Sequence, residues 1–82
     1  HATATADATA KTGRGFLRHV FIEGSAGGGR WVIRDGTDTT GAVIGDFTVA
    51  LGSNCFEWPV QFDSGLFLDA GTSPGRISVL FE

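Results

Sequence analysis

Glycine-rich turns divide this chain into short segments, and no other feature of the sequence constrains the fold as strongly. The turns recur at intervals of about 8–12 residues, a spacing typical of β-sandwiches and small barrels. The segments between them are rich in Phe, Val, Ile and Thr, which favour strands, and none has sustained helical periodicity. The sequence therefore predicts an all-β fold, a small β-sandwich or jelly-roll-like barrel of about seven short strands.

The strand pattern can be followed along the chain. The predicted strands are residues 15–23, 30–34, 42–50, 55–58, 60–62, 66–70 and 76–82. Both faces of the first are partly apolar, which indicates a central strand or a face pressed on a neighbouring subunit. Strict alternation there places Leu17 and Val20 on opposite faces. Gly45 predicts a bulge or a close backbone approach. Pro59 has no N–H to donate, so it ends its strand or places that strand at a sheet edge.

Residues 1–12 differ from the rest of the chain because Ala and Thr alternate there without a large apolar side chain. Such a segment cannot bury enough surface to offset the entropy lost when it becomes ordered. We predict a flexible N-terminal arm over residues 1–12 and a single β-sandwich domain over residues 13–82. A chain of 82 residues is too short for a second domain of typical size.

A core of this size needs support from outside. A chain this short buries only about 60–65% of the surface that its unfolded form exposes. Small domains add disulfides, a metal or oligomerisation. Cys55 is the single cysteine, so no disulfide forms within the chain, and two histidines with one cysteine do not suggest a structural zinc site. We therefore expect no cofactor or metal, and we expect oligomerisation or docking onto a partner.

The net charge of −3 is divided unevenly along the chain. Residues 1–34 carry five basic and two acidic side chains, a net of +3, whereas residues 35–82 carry one basic and seven acidic side chains, a net of −6. The division favours copies that meet head to flank, or a basic end on an acidic support, unless folding mixes the two halves. Nucleic-acid binding is disfavoured because it usually needs a strongly basic domain. No apolar run approaches the about 20 residues of a membrane-spanning helix, so no membrane partner is expected.

Candidate catalytic groups are few and their spacing does not pair them. His19 could act as a base for Cys55 or Ser53, but a histidine in a strand pattern is more often a satisfied residue on a sheet face. Cys55 precedes an apolar residue, which predicts a buried structural thiol. Asp35 and Asp38 could offer carboxylates to calcium, although a tight turn explains them equally well. We predict that the protein is not an enzyme. A small hydrolase, with His19, Cys55 and an acidic residue in one pocket, is the least favoured alternative.

Aromatic side chains are more numerous than a small two-layer core can easily enclose. They are Phe16, Phe21, Trp31, Phe47, Phe56, Trp58, Phe62, Phe67 and Phe81. Aromatic and Arg side chains concentrate at interfaces, so Trp31, which lies between Arg30 and Arg34, and Trp58, beside Pro59, are candidate contact residues. Both could instead fill the core, and an exposed Trp beside Arg could stack on a sugar ring. The predicted partner-binding residues are Lys11, Arg14, Arg18, Trp31, Arg34 and Trp58.

Four segments carry a resemblance to a known class of protein. They are the opening strand GRGFLRHVFIEG, the Gly-rich turn into RWVIRDG, the later FDSGLFLDAG and the terminal RISVLFE, which together span about residues 13–82. In this order they resemble small β-rich virion proteins of tailed phages, including head decoration (capsid cement) proteins. The shared motifs are patterns of strand and turn without an invariant functional residue.

The resemblance implies a particular role. It implies a β-sandwich or jelly-roll-like homotrimer that binds the major capsid protein on the outer surface of the virion, at threefold or quasi-threefold positions. We expect the N-terminal arm, with Arg14 and Arg18, to touch the shell, which the protein would stabilise by bridging capsid subunits. The alternative is a receptor-binding or glycan-binding tip domain of a phage tail or fibre, because phages use such domains in both places.

Overall fold

Two four-stranded antiparallel sheets pack face to face in the computed structural model, which describes residues 2–25 and 27–82. The strands are β1 (Ala2–Ala4), β2 (Ala8–Thr12), β3 (Gly15–Gly24), β4 (Gly29–Asp35), β5 (Ala42–Val49), β6 (Gly52–Phe62), β7 (Gly65–Ala70) and β8 (Arg76–Phe81). Within the described residues no helix is long and apolar enough to cross a membrane. The prediction of an all-β sandwich is confirmed.

The two sheets are built from strands that are distant in sequence. Strands β1, β8, β3 and β6, in this order, form sheet A, and strands β2, β7, β4 and β5 form sheet B. Apart from the β4–β5 hairpin, consecutive strands lie in opposite sheets. Nearly all strand pairing is therefore non-local, and each sheet joins strands from near the N-terminus to strands from the last third of the chain.

The core lies between the two sheets and is formed by the inward-facing side chains of both. It contains Leu17, Val20, Ile22, Trp31, Ile33, Phe47, Val49, Phe62, Leu66, Leu68, Ile77 and Val79. Trp31 is the largest of the fully buried side chains, and its Nε1–H donates a hydrogen bond to the carbonyl oxygen of Pro74 at 2.6 Å. This bond satisfies the single polar group of the indole, so the ring can lie in the apolar core without an unpaired donor.

The predicted flexible arm is wrong for the described residues, because residues 2–12 form the outer strands β1 and β2. Strand β1 pairs with β8, where Ala2 is opposite Val79, and β2 pairs with β7. Ala2, Ala4 and Ala10 pack against the core. The small side chains fit the thin margin of the sandwich, and the open backbone of β8 and β7 supplies the hydrogen bonds that the segment cannot provide for itself. The prediction for residue 1 lies outside the described residues.

A bulge in β3 breaks the alternation that the sequence predicts. Leu17 and Val20 both point into the core, although they are three residues apart. The register of β3 against β8 shifts between Leu17 and His19, so that Arg18 is an extra residue on β3. The prediction that Leu17 and Val20 lie on opposite faces is therefore wrong, since one inserted residue inverts the alternation that follows it.

Strand β6 continues through Pro59 as an edge strand of sheet A. The predicted break between residues 55–58 and 60–62 is wrong, whereas the alternative of an edge position is confirmed. Trp58 and Pro59 together lie opposite Arg18, which forms a second bulge at the same level. A proline is tolerated there because its missing N–H costs no ladder hydrogen bond.

Gly45 combines the two features that its position in the sequence predicts. The register between β4 and β5 shifts at Ile44, so a bulge lies next to Gly45. A Cβ atom on Gly45 would lie 3.0 Å from the indole nitrogen of Trp58. That nitrogen donates a hydrogen bond to the carbonyl oxygen of Ile44 at 2.9 Å, which links edge strand β6 to edge strand β5. The prediction of a bulge or a close approach is confirmed.

Candidate interaction surface

The groups that a hydrolase would need do not converge in one pocket. A shallow depression of about 200 Å³ on the outer face of sheet A is lined by Ser53 and Cys55 but not by His19. His19 instead stacks on Phe21, with ring centroids 6.1 Å apart, and the Ser53 hydroxyl donates a hydrogen bond to the carboxylate of Glu23.

Cys55 is exposed, so the prediction of a buried thiol is wrong. Alternation along β6 turns the neighbouring Phe56 toward the core and leaves the thiol on the outer face. The apolar character of Phe56 therefore indicated the burial of Phe56 alone and not that of Cys55.

The carboxylates suggested for calcium instead stabilise turns, Asp35 the turn between β6 and β7 and Asp38 the turn in which it lies. Asp35 accepts hydrogen bonds from the backbone N–H groups of Ser64, at 2.8 Å, and Asp63, at 3.0 Å, and these bonds hold the pKa of Asp35 below its ordinary value. The pKa of Asp38 is also lowered, because its carboxylate accepts hydrogen bonds from the hydroxyl and the N–H of Thr40. Within residues 2–25 and 27–82, no three His, Cys, Asp or Glu side chains form a metal-binding group.

Folding mixes the basic and acidic halves of the chain. The ion pairs of the described residues are Arg14–Asp63 at 3.6 Å, Arg18–Glu82, Arg30–Asp46 at 2.6 Å and Arg34–Asp69 at 2.9 Å. Each joins a cation from residues 1–34 to an anion from residues 35–82. The alternative in which strand pairing mixes the charges is therefore confirmed, and the separation of charge along the sequence does not produce a basic end.

The structure removes Trp31 from the predicted partner-binding residues and gives Arg34 a role inside the fold. Trp31 is fully buried, so its predicted contact with a partner is wrong. The Nε of Arg34 pairs with Asp69, and its Nη1 donates a hydrogen bond to the carbonyl oxygen of Gly41 at 3.0 Å. The Arg34 side chain is 22% exposed, which leaves little of it to reach another protein.

The remaining predicted contact residues keep some accessible surface. Arg14 and Arg18 are exposed, although each forms an ion pair, and Lys11 is half-buried in β2. Trp58 is 37% exposed at the seam between β5 and β6, where its ring packs edge-on against Phe47 with centroids 5.0 Å apart. The prediction that these four residues contact a partner stays a prediction.

Side chains of sheet B cover the middle of its own outer face. The Arg30 guanidinium binds both carboxylate oxygens of Asp46, which lowers the pKa of Asp46, and Arg34 pairs with Asp69 nearby. Val32 and Phe67 on this face are 7% and 8% exposed. The charged groups therefore pair with each other over the middle of the sheet, and the large apolar side chain that stays accessible on this face, Val43 at 54%, lies on edge strand β5.

The outer face of sheet A is different because its exposed large apolar side chains lie on the two central strands, β3 and β8. Phe21 on β3 is 43% exposed and Leu80 on β8 is 45% exposed. Phe21 lies opposite Cys55 on one side and Ser78 on the other, and Leu80 lies opposite His19. The apolar side chains thus form one patch in the middle of the sheet.

Each of the four edge strands is short or interrupted. Strand β1 has three residues, and β2 has a bulge at Ala10. Strand β5 has its bulge at Ile44, and β6 contains the Trp58–Pro59 bulge. Short edges, bulges and proline all hinder the addition of a further strand. A partner would therefore dock on a face or a loop end more readily than on an edge.

Comparison with protein-family models, curated proteins and solved structures finds no match for this chain. The class that the structure defines is an antiparallel β-sandwich in which paired charges cover the middle of one outer face, whereas the other, the open face of sheet A, exposes apolar side chains on its central strands. In the sequence, the open face is indicated only by the second apolar side of residues 15–23. The separate contribution of Leu80 requires the pairing of β8 with β3, which no local pattern reveals.

Proposed function

We propose that this protein is a head decoration protein of a tailed phage, which binds the outer surface of the shell where capsid subunits meet and stabilises it by bridging them. The proposal is supported by the resemblance of residues 13–82 to small phage virion proteins, and a β-sandwich is the architecture that this resemblance implies. Binding at threefold or quasi-threefold positions is implied by the resemblance alone.

The observation that carries the proposal is the open apolar face of sheet A. Phe21 and Leu80 are nearly half exposed on its central strands, whereas Arg–Asp pairs cover the middle of the outer face of sheet B and its exposed apolar side chain, Val43, lies on edge strand β5. Exposed apolar patches on small domains mark contact surfaces. Phe21 and Leu80 give surface contact a direct structural basis.

The mechanism is the addition of many weak contacts. A domain this small offers only a modest area to each capsid subunit, so one contact is weak. When a single decoration unit touches two or more neighbouring subunits, the later contacts form at high effective concentration and the total affinity rises steeply. Bound units then oppose the separation of subunits that internal DNA pressure favours.

The test is binding to phage heads that lack a decoration protein. We expect the purified protein to co-sediment with such heads, to saturate at a copy number compatible with the lattice symmetry, and to raise the temperature at which the heads release DNA. Heads that already carry their decoration protein are the control and should bind none. Absent binding, or binding that never saturates, would contradict the proposal.

The second candidate is a glycan-binding domain of a tail or fibre, and the exposure of Trp58 favours it. An aromatic ring that is 37% exposed can stack on a sugar. Burial of Trp31 leaves Trp58 as the tryptophan available for this role. Glycan-array binding that is lost in the Trp58→Ala variant, together with no binding to heads, would establish this alternative.

A further inference from the structure

The open face of sheet A has a regular arrangement of outward-facing side chains, in three rows of three across β6, β3 and β8. From one end of the strands to the other, the rows are Ser53–Glu23–Arg76, then Cys55–Phe21–Ser78, then Glu57–His19–Leu80. We call these nine residues the pairing face. Phe21 is its centre, with an apolar ring that is 43% exposed.

Two opposite charges lie symmetrically on either side of Phe21. Arg76 is one strand away on β8 and two residues toward one end, and Glu57 is one strand away on β6 and two residues toward the other end. Strands are about 4.8 Å apart and alternate residues about 6.8 Å apart. The two charges therefore lie at diagonally opposite corners, at equal distances from the central ring.

We infer that the pairing face binds a second copy of this chain through a two-fold axis that lies in the plane of the interface and passes Phe21. An axis perpendicular to the Arg76–Glu57 diagonal places Arg76 of each copy against Glu57 of the other and brings the two Phe21 rings together. The same axis runs toward the Leu80 corner, so Leu80 of each copy lies near that of the other. One contact thus covers the exposed apolar groups of this face and pairs Arg76 with Glu57 at both corners, while the third charged residue, Glu23, lies opposite Arg76 of its own copy.

The charges on this face are available for such a contact. Within the described residues, Arg76 and Glu57 form no ion pair, whereas Arg14, Arg18 and Arg30 each have an acidic partner. Two-fold contacts are self-complementary by necessity, so a cation and an anion at diagonally opposite corners are the arrangement that such a contact needs. Opposite charges placed in this way fix the orientation of two copies more than they add to the affinity.

The area of the face fits a weak but specific pair. The domain measures 32 × 23 × 16 Å, so one sheet face has a footprint of at most about 740 Å². Stable interfaces bury about 800 Å² of accessible surface on each partner, and transient ones bury less. The pairing face, which occupies part of that footprint, therefore predicts a dimer that dissociates on dilution.

This self-association does not depend on the proposed function, and it uses the same face of sheet A that supports the shell contact. The two contacts therefore compete, since a pair covers Phe21 and Leu80 and must dissociate before that face can touch the shell. The self-association differs from the trimer that the family resemblance implies, since a two-fold contact on one face closes at two copies. The mass of the protein in solution decides between the two.

The first experiment is sedimentation of the purified chain from low micromolar to near-millimolar concentration. We expect a reversible monomer–dimer equilibrium, weakened at least about tenfold by Phe21→Ser, because truncation of a central aromatic removes most of the binding energy of a small interface. The control is Thr48→Glu, which changes an exposed residue of β5 outside the pairing face. A monomer at every concentration, a trimer, or equal association of the two variants would overturn the inference.

The second experiment tests the orientation by exchange of charges. Arg76→Glu alone and Glu57→Arg alone should each abolish self-association, because like charges then meet at both corners. A mixture of these two variants should recover association at least as strong as that of the unmodified chain, because every corner contact again joins opposite charges. Failure of the mixture to associate, with both variants folded by circular dichroism, would refute the two-fold geometry.

Discussion

The two tryptophans permit a direct test of which aromatic side chains hold the sandwich together. Each indole N–H donates to a backbone carbonyl, of Pro74 for Trp31 and of Ile44 for Trp58. Trp31 is fully buried, whereas Trp58 is 37% exposed. Substitution of each by Phe removes the same donor in two environments, so the difference between the variants isolates the effect of burial.

The expected magnitudes follow from these environments. In Trp31→Phe the carbonyl oxygen of Pro74 loses its donor in a part-buried site and the core loses ring volume. A buried polar group without a partner costs about 1–3 kcal/mol. With the lost packing, we expect the free energy of unfolding to fall by about 2–4 kcal/mol. In Trp58→Phe water can replace the indole donor, so the expected loss is about 0.5–1.5 kcal/mol.

Equilibrium unfolding in urea, followed by circular dichroism, measures both losses. At about 1 kcal/mol per molar urea for a chain this small, the midpoint should fall by about 2–4 M for Trp31→Phe and by about 0.5–1.5 M for Trp58→Phe. Fluorescence gives an independent check, because the Trp58→Phe variant retains only the buried indole, which iodide should hardly quench. A larger loss for Trp58→Phe, or easy quenching of Trp31, would refute the assignment of Trp31 to the core.

Three further outcomes are expected. Gly15→Ala should destabilise the fold by more than about 1 kcal/mol in urea unfolding, because its Cβ would meet the carbonyl oxygen of Glu82, whereas Gly27→Ala, with nothing within 4 Å, should cost far less. Hydrogen bonds lower the pKa of Asp35, so its stabilisation is present above the unfolded value of about 3.9 and is lost as the pH falls through the folded pKa. Asp35→Asn should therefore flatten the loss of stability between about pH 5 and pH 2, and an unchanged slope would contradict this. Deletion of residues 1–11 should lower the unfolding midpoint, because it removes β1 and most of β2. An unchanged midpoint would support the prediction of a flexible N-terminal arm instead.

The local pattern of residues was sufficient to predict the architecture. Gly-rich turns and short apolar segments specify strands wherever the chain lies, so the all-β class and most strand positions follow from spacing alone. The bulge or close approach at Gly45 and the edge position of Pro59 were also predictable. A missing side chain and a missing N–H restrict the backbone independently of its neighbours.

The candidate surface was only partly predictable. The second apolar side of residues 15–23 indicated a contact face, and Phe21 is on it. Trp31 and Cys55 show the limit, because a residue next to an arginine was buried and a residue next to a phenylalanine was exposed. Burial depends on which side of a strand faces the other sheet, and the bulge at Arg18 changes that side in the middle of β3.

The sequence by itself determined that this chain forms short strands joined by tight turns, because those preferences belong to individual residues and their nearest neighbours. Only the tertiary structure decided that residues 2–12 join the sheets, that the basic and acidic halves pair with each other, and that Phe21 lies midway between Arg76 and Glu57. Each of these depends on pairing between strands that are far apart in sequence. The register of such pairing is set by the packing of the whole core, which no local segment contains.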